Sequence, residues 1–137
     1  MRPHPDDLHP QLRDDCHRLG RAPSGQILLH RNARVPWLIL VPTTDAPDLL
    51  LLPRPQREQV LDDCARLDRY LRRRWDLDKV NFAAIGNLVP QLHLHLVGRR
   101  RGDGCWPLPV WGHLQEVAAY PAAEVEAIAR DVAALWA

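Results

Sequence analysis

The stretch Gln91-Leu92-His93-Leu94-His95-Leu96-Val97 alternates polar and apolar side chains at a strict period of two. That is the pattern of a strand with one buried face. Leu92, Leu94 and Leu96 then share one side, and Gln91, His93 and His95 the other. Two imidazoles and a carboxamide stand in a row on rigid backbone. Histidine is the side chain whose ordinary pKa lets it act as base, acid, nucleophile or ligand near neutral pH. A chain built around this strand needs a sheet to hold it and a core to receive its leucines.

The remaining sequence offers both. At 137 residues the chain reads as one domain, 1–137, and buries roughly two-thirds of its unfolded surface without staples. Leu8, Leu12, Cys16 and Leu19 recur at helical spacing, with Pro10 suited to a first turn and Gly20 to the residue after the last, which predicts a helix from about 9 to 19. Ser24-Gly25 marks a turn. Ile27 to His30 and Trp37 to Val41 read as two strands joined by a hairpin-length connection, the second apolar enough to lie centrally in a sheet. Asp48 to Leu52 reads as a short strand or an irregular packed segment. Val60, Cys64, Leu67, Leu71 and Trp75 predict an amphipathic helix from about 55 to 75. Lys79 to Ile85 reads as a third strand that pairs with the histidine strand, and Pro121 opens a last helix to about 136. The order helix, two strands, helix, two strands, helix, with short connections, predicts an α+β fold with helices packed on an antiparallel sheet.

Composition narrows the partners. A net charge of +1 gives no bulk reason to expect nucleic acid. No apolar run is long enough to span a bilayer, so no membrane partner is expected. Met1 to Asp7 has no apolar core and does not read as a signal peptide. Cys16, Cys64 and Cys105 are far apart and odd in number. They read as reduced thiols of a cytoplasmic protein, two of them packed in helices. Arg72-Arg73-Arg74 suits the C-terminal end of a helix dipole, and Arg99-Arg100-Arg101 a solvated turn, with phosphate contact left open for the second group.

Three readings of the histidine strand compete. His93 and His95 are satisfied polar groups on a wet sheet face. Or they are two zinc ligands, with a third such as His30, although no carboxylate or cysteine lies close in sequence. Or one imidazole attacks phosphorus while the other meets negative charge. Same-face neighbours on a strand lie about 6.5–7 Å apart, close enough for two rings to converge on one phosphate. If one ring is protonated, its charge also lowers the pKa of the other and keeps it nucleophilic.

At this point the chain resembles the histidine triad (HIT) family of nucleotide hydrolases and transferases, whose motif is His-φ-His-φ-His-φ-φ with φ apolar. Here the first motif His is replaced by Gln91, while His93 and His95 fit. The approach Gly86-Asn87-Leu88-Val89-Pro90 and the basic exit at Arg99 and Arg100 are similar too. The resemblance implies a HIT-like antiparallel sheet with packed helices, a nucleotide or nucleotide conjugate as partner, an edge-to-edge homodimer, and chemistry with no metal and no cofactor. It implies that His93 is the nucleophile, its other ring nitrogen held by the Gln91 carbonyl, and that His95 contacts the α-phosphate and the leaving group. It places Asn87, Gln91 and His30 at the substrate. Two departures stand out. Leu88 replaces a Ser or Thr, and Arg21 to Gln26 holds no acidic residue for a ribose. The expected function is cleavage of a phosphoanhydride or phosphoramidate of a nucleotide through a nucleotidyl-histidine. The alternative is a non-catalytic nucleotide-binding or regulatory protein on the same fold. Trp106 and Trp111 read as packing residues, with the site or a dimer surface as their other placements.

Overall fold

A computed structural model describes residues 4–137; the Met1 to Asp7 reading therefore falls partly outside the described residues. The elements are α1 (Pro10–Asp15), β1 (Cys16–Ala22), β2 (Gly25–His30), β3 (Trp37–Pro42), α2 (Arg54–Arg74), β4 (Lys79–Ala83), β5 (Leu94–Arg99) and α3 (Ala122–Ala133). The five strands form one sheet in the order β1-β2-β3-β5-β4, antiparallel at every pairing. This is the expected α+β arrangement of an antiparallel sheet with packed helices.

The sheet has a core on each face. On one, Ile27, Leu29, Leu38, Leu40, Leu94 and Leu96 meet Val60, Leu67 and Leu71 of α2 and Ile128 and Val132 of α3. On the other, Leu28, Ile39, Val41 and Val97 meet Leu8, Leu12, Val89 and Val110 from the chain that covers them. Burial on both sides explains why β3 is apolar throughout. Gly25 begins β2 against Pro42, where a Cβ would run into the Val41 carbonyl, so this position tolerates only glycine.

The predicted first helix is too long. Helix α1 ends at Asp15, and Cys16–Ala22 form β1. Leu8, Leu12 and Cys16 do share one core, but Leu19 lies in the core on the opposite face of the sheet. The register of β1 on β2 shifts between Arg18 and Gly20. That bulge breaks the period of two and leaves an accidental helical spacing. Cys16 is consequently a strand residue; Cys64 alone of the three thiols lies in a helix, and Cys105 follows β5. Asp48 to Leu52 contains a 3-10 turn at Leu49–Leu51 and no strand. The last helix ends at Ala133 and tightens into a 3-10 turn over Ala134–Trp136. Among the described residues no helix is long and apolar enough to cross a membrane.

Candidate functional site

Strand β5 begins at Leu94, so His93 stands on the extended approach and His95 inside the ladder, opposite Ile39 of β3. The alternation holds. Leu92, Leu94 and Leu96 enter the α2 core, while His93 and His95 turn to the other face. There they line a cavity of about 760 Å³ with His30, Trp37, Asn87 and Trp111. Both rings are largely covered, at 7% and 6% exposed, yet each reaches the cavity wall. Their centroids are 4.7 Å apart with planes at 72°.

The ring nitrogens are fixed by their partners. Nδ1 of His93 lies 2.7 Å from the Gln91 carbonyl oxygen. A carbonyl has no proton to give, so Nδ1–H donates and the neutral ring carries its lone pair on Nε2. Nδ1 of His95 faces the opposite partner. It accepts a hydrogen bond from the Trp37 indole Nε1–H at 3.0 Å. Indole nitrogen only donates, so the neutral His95 ring carries its proton on Nε2. His30 stacks on Trp37 at 4.0 Å with planes 10° apart, and its Nδ1 accepts from the Asn32 backbone N–H. Trp111 closes edge-on against His95 at 5.0 Å.

Electrostatics keep these rings uncharged. Burial pulls His95 down to about 3, and its neighbours His93 and His30 push the same way. Burial also lowers His93, opposed by its bond to the Gln91 carbonyl and aided by His9. His30 is lowered by burial against the pull of Asp15. The free site thus holds two neutral imidazoles of opposite tautomer, one offering a lone pair and the other an N–H. This differs from the arrangement in which a protonated ring activates its neighbour.

The other expected residues divide. His30 and Asn87 stand at the cavity. The Gln91 side chain does not; its oxygen accepts from the His9 backbone N–H and its amide donates to the Asp7 carbonyl, both at 2.8 Å. Only its main chain serves the site. Arg99 is no phosphate ligand either. It is buried in a bidentate pair with Asp103, at 2.7 and 3.2 Å, and donates to Asn81. Leu88 is 93% exposed at the rim. Among the described residues no three or more His, Cys, Asp or Glu side chains are grouped to share a metal ion. Sequence reasoning missed Trp37 and His9 as wall residues. Trp37 read as strand core, and nothing local ties His9 to a strand more than eighty residues away.

Comparison with known proteins bears on the family and the fold. The HIT domain family model matches residues 11–102. A histidine triad protein from Bradyrhizobium japonicum is 37% identical, with a TM-score of 0.87 over 96% of this chain and 98% of its own. Histidine triad proteins from Marinobacter aquaeolei VT8 (35% identity, TM-score 0.86, 94% of each chain) and Sinorhizobium meliloti 1021 (31%, 0.86, 93% of this chain and 95% of that one) are similar over nearly their whole length. A search among proteins of curated function found no match. With most of its length matched by the family model and by solved members of the family, this chain belongs to the histidine triad (HIT) domain family.

Proposed function

We propose that this protein is a nucleotide hydrolase or transferase that cleaves a phosphoanhydride or phosphoramidate of a nucleoside monophosphate conjugate. The observation that carries the reading is the 2.7 Å bond from His93 Nδ1–H to the Gln91 carbonyl, which leaves Nε2 as a lone pair on the cavity wall. Nε2 attacks the α-phosphorus, a P–N bond forms, and the bond to the leaving group breaks; a phosphate departs with the electron pair as an anion, and an amine takes up a proton from water in the open cavity as it departs. The developing positive charge on the ring is shared with Nδ1–H, where the carbonyl stabilises it. His95 donates its Nε2–H to a phosphate or bridging oxygen. It keeps that proton, because a neutral imidazole is too weak an acid to give it up. Water then attacks the phosphorus, the P–N bond returns its electrons to His93, and the water's proton leaves to solvent. A second acceptor in place of water gives transfer.

Asn87 at the rim contributes an amide to the phosphate, and His30 bounds the pocket beside Trp37. The edge strand β4, with Phe82 exposed on it, supports an edge-to-edge homodimer. Free thiols at all three cysteines support a reducing, cytoplasmic setting.

A second reading, a non-catalytic nucleotide-binding or regulatory protein, draws support from the apolar, exposed Leu88 at the rim and the lack of an acidic residue over Arg21 to Gln26. The deciding experiment is turnover of a panel of nucleoside phosphoramidates, dinucleoside polyphosphates and nucleotide sugars by the wild type and His93→Ala. Turnover lost in the variant is expected. Tight binding of the same compounds with no turnover assigns the second reading.

A further inference from the structure

One residue of the cavity wall comes from a part of the chain that the motif does not reach. His9 lines the cavity, although it precedes α1 and belongs to none of the sheet strands. It is brought there by Gln91. The Gln91 Oε1 accepts from the His9 backbone N–H, and Nε2 donates to the Asp7 carbonyl, each at 2.8 Å. The two bonds clamp the chain on either side of Leu8, whose side chain is buried in the same core as Leu12 and Val89. Further back, Asp6 is tied to Thr43 and Arg21, both at 2.7 Å. The segment is therefore strapped across the sheet face beside the histidine pair.

The His9 ring has a defined polarity in this setting. Its Nδ1 accepts from the backbone N–H of Gln11 at 3.1 Å, which in the neutral ring leaves the proton on Nε2. The same logic applied to His30 and His95 gives each an Nε2–H, since each Nδ1 accepts. Of the four histidines at the cavity, His93 alone has its lone pair on Nε2. Among the described residues lining the cavity there is no lysine or arginine. With the Asp15 carboxylate also on that wall, an anion entering the cavity relies on imidazole, amide and main-chain N–H donors.

We propose that His9 is a third anion-binding imidazole of the site, donating Nε2–H to an oxygen of the substrate phosphate, and that the Gln91 side chain is the positioning group that delivers it. This rests on the reading of the cavity as a nucleotide site.

The test uses AMP as probe, by titration calorimetry, on the full chain. His9→Asn preserves an acceptor for the Gln11 N–H, because Asn caps helix starts well, and removes the imidazole. Gln91→Ala removes the strap and leaves the backbone carbonyl that holds His93. Each variant is expected to weaken AMP by about tenfold, the worth of one hydrogen bond to an anion. The two losses do not add: in the His9→Asn background, Gln91→Ala has little further effect. A purely structural strap gives additive losses or none. Wild-type affinity in His9→Asn, with AMP still bound by the parent, overturns the assignment of His9 and leaves the nucleotide site standing. Failure of the parent to bind either AMP or inorganic phosphate overturns both.

Discussion

Replacing Trp37 by Phe removes a single polar hydrogen from the centre of the site. The indole Nε1–H is the partner of His95 Nδ1, at 3.0 Å, and both residues are buried at 8% and 6% exposed. In the variant, Nδ1 of His95 loses its donor where water reaches it poorly. A buried polar atom left unpaired costs about 1–3 kcal/mol, and the smaller ring adds about 1 kcal/mol for the space it vacates. The expected destabilisation is about 2–4 kcal/mol, read as a shift in the urea midpoint with an unchanged slope. The sharper consequence is chemical. The indole bond biases His95 toward the Nε2–H tautomer, and losing a bias of about 1.4 kcal/mol brings the tautomers about tenfold closer to parity. Nitrogen-15 NMR of the imidazole rings should report a protonated Nε2 on His95 in the parent and a mixture in Trp37→Phe. Turnover should fall with the Nε2–H share, by about twofold for an even mixture. A variant that unfolds more easily but keeps the parental His95 spectrum and full turnover would refute the argument, and Trp37 would then only pack.

Three further outcomes follow from the same coordinates. Folding holds His95 down to about 3 and lowers His93 and His30 from 6.5 as well, so the unfolded chain binds protons that the native one refuses. Stability contributed by these groups is complete above pH 6.5 and declines as the pH falls below it, by about 1.4 kcal/mol per pH unit for each ring that stays neutral; denaturation measured from pH 7 to 4.5 should show this slope, reduced by one ring's worth in His95→Asn. Activity should hold through pH 6.5 and fall only in more acid solution, since protonation of His93 Nε2 is what removes the nucleophile; an acid limb centred at or above 6.5 contradicts the neutral-ring arrangement. Asp103→Asn leaves the buried Arg99 guanidinium without its counter-charge and should cost about 3–5 kcal/mol in denaturant, while Arg54→Met, in a pair exposed at both ends, should be near neutral.

The histidine strand announced itself because its period of two is set by local geometry, and burial of Leu92, Leu94 and Leu96 on one side follows directly. The long periodicity of α2 was equally legible. Strand β1 was not, because its bulge at Arg18/Gly20 destroys the alternation and its identity depends on pairing with β2. At the site, the role of the Gln91 carbonyl could be expected from the resemblance and has the matching geometry, since a main-chain group is indifferent to the side chain. The Gln91 side chain, the approach of His9 and the indole bond to His95 are contacts between segments distant in sequence. No periodicity encodes them. Arg99 misled for a related reason: a basic residue beside a turn looks solvated until Asp103 is folded back over it.

The central claim is that His93 Nε2 becomes bonded to phosphorus. Mixing the protein with an excess of a nucleoside monophosphate conjugate, quenching within the first turnovers, and mapping the product by peptide mass spectrometry tests it directly. The account predicts a nucleoside monophosphate on His93, formed and lost at rates compatible with turnover, undiminished in amount by Trp106→Phe and absent in His93→Ala. Turnover with no adduct at any quench time, or an adduct on another residue that persists in His93→Ala, would contradict it.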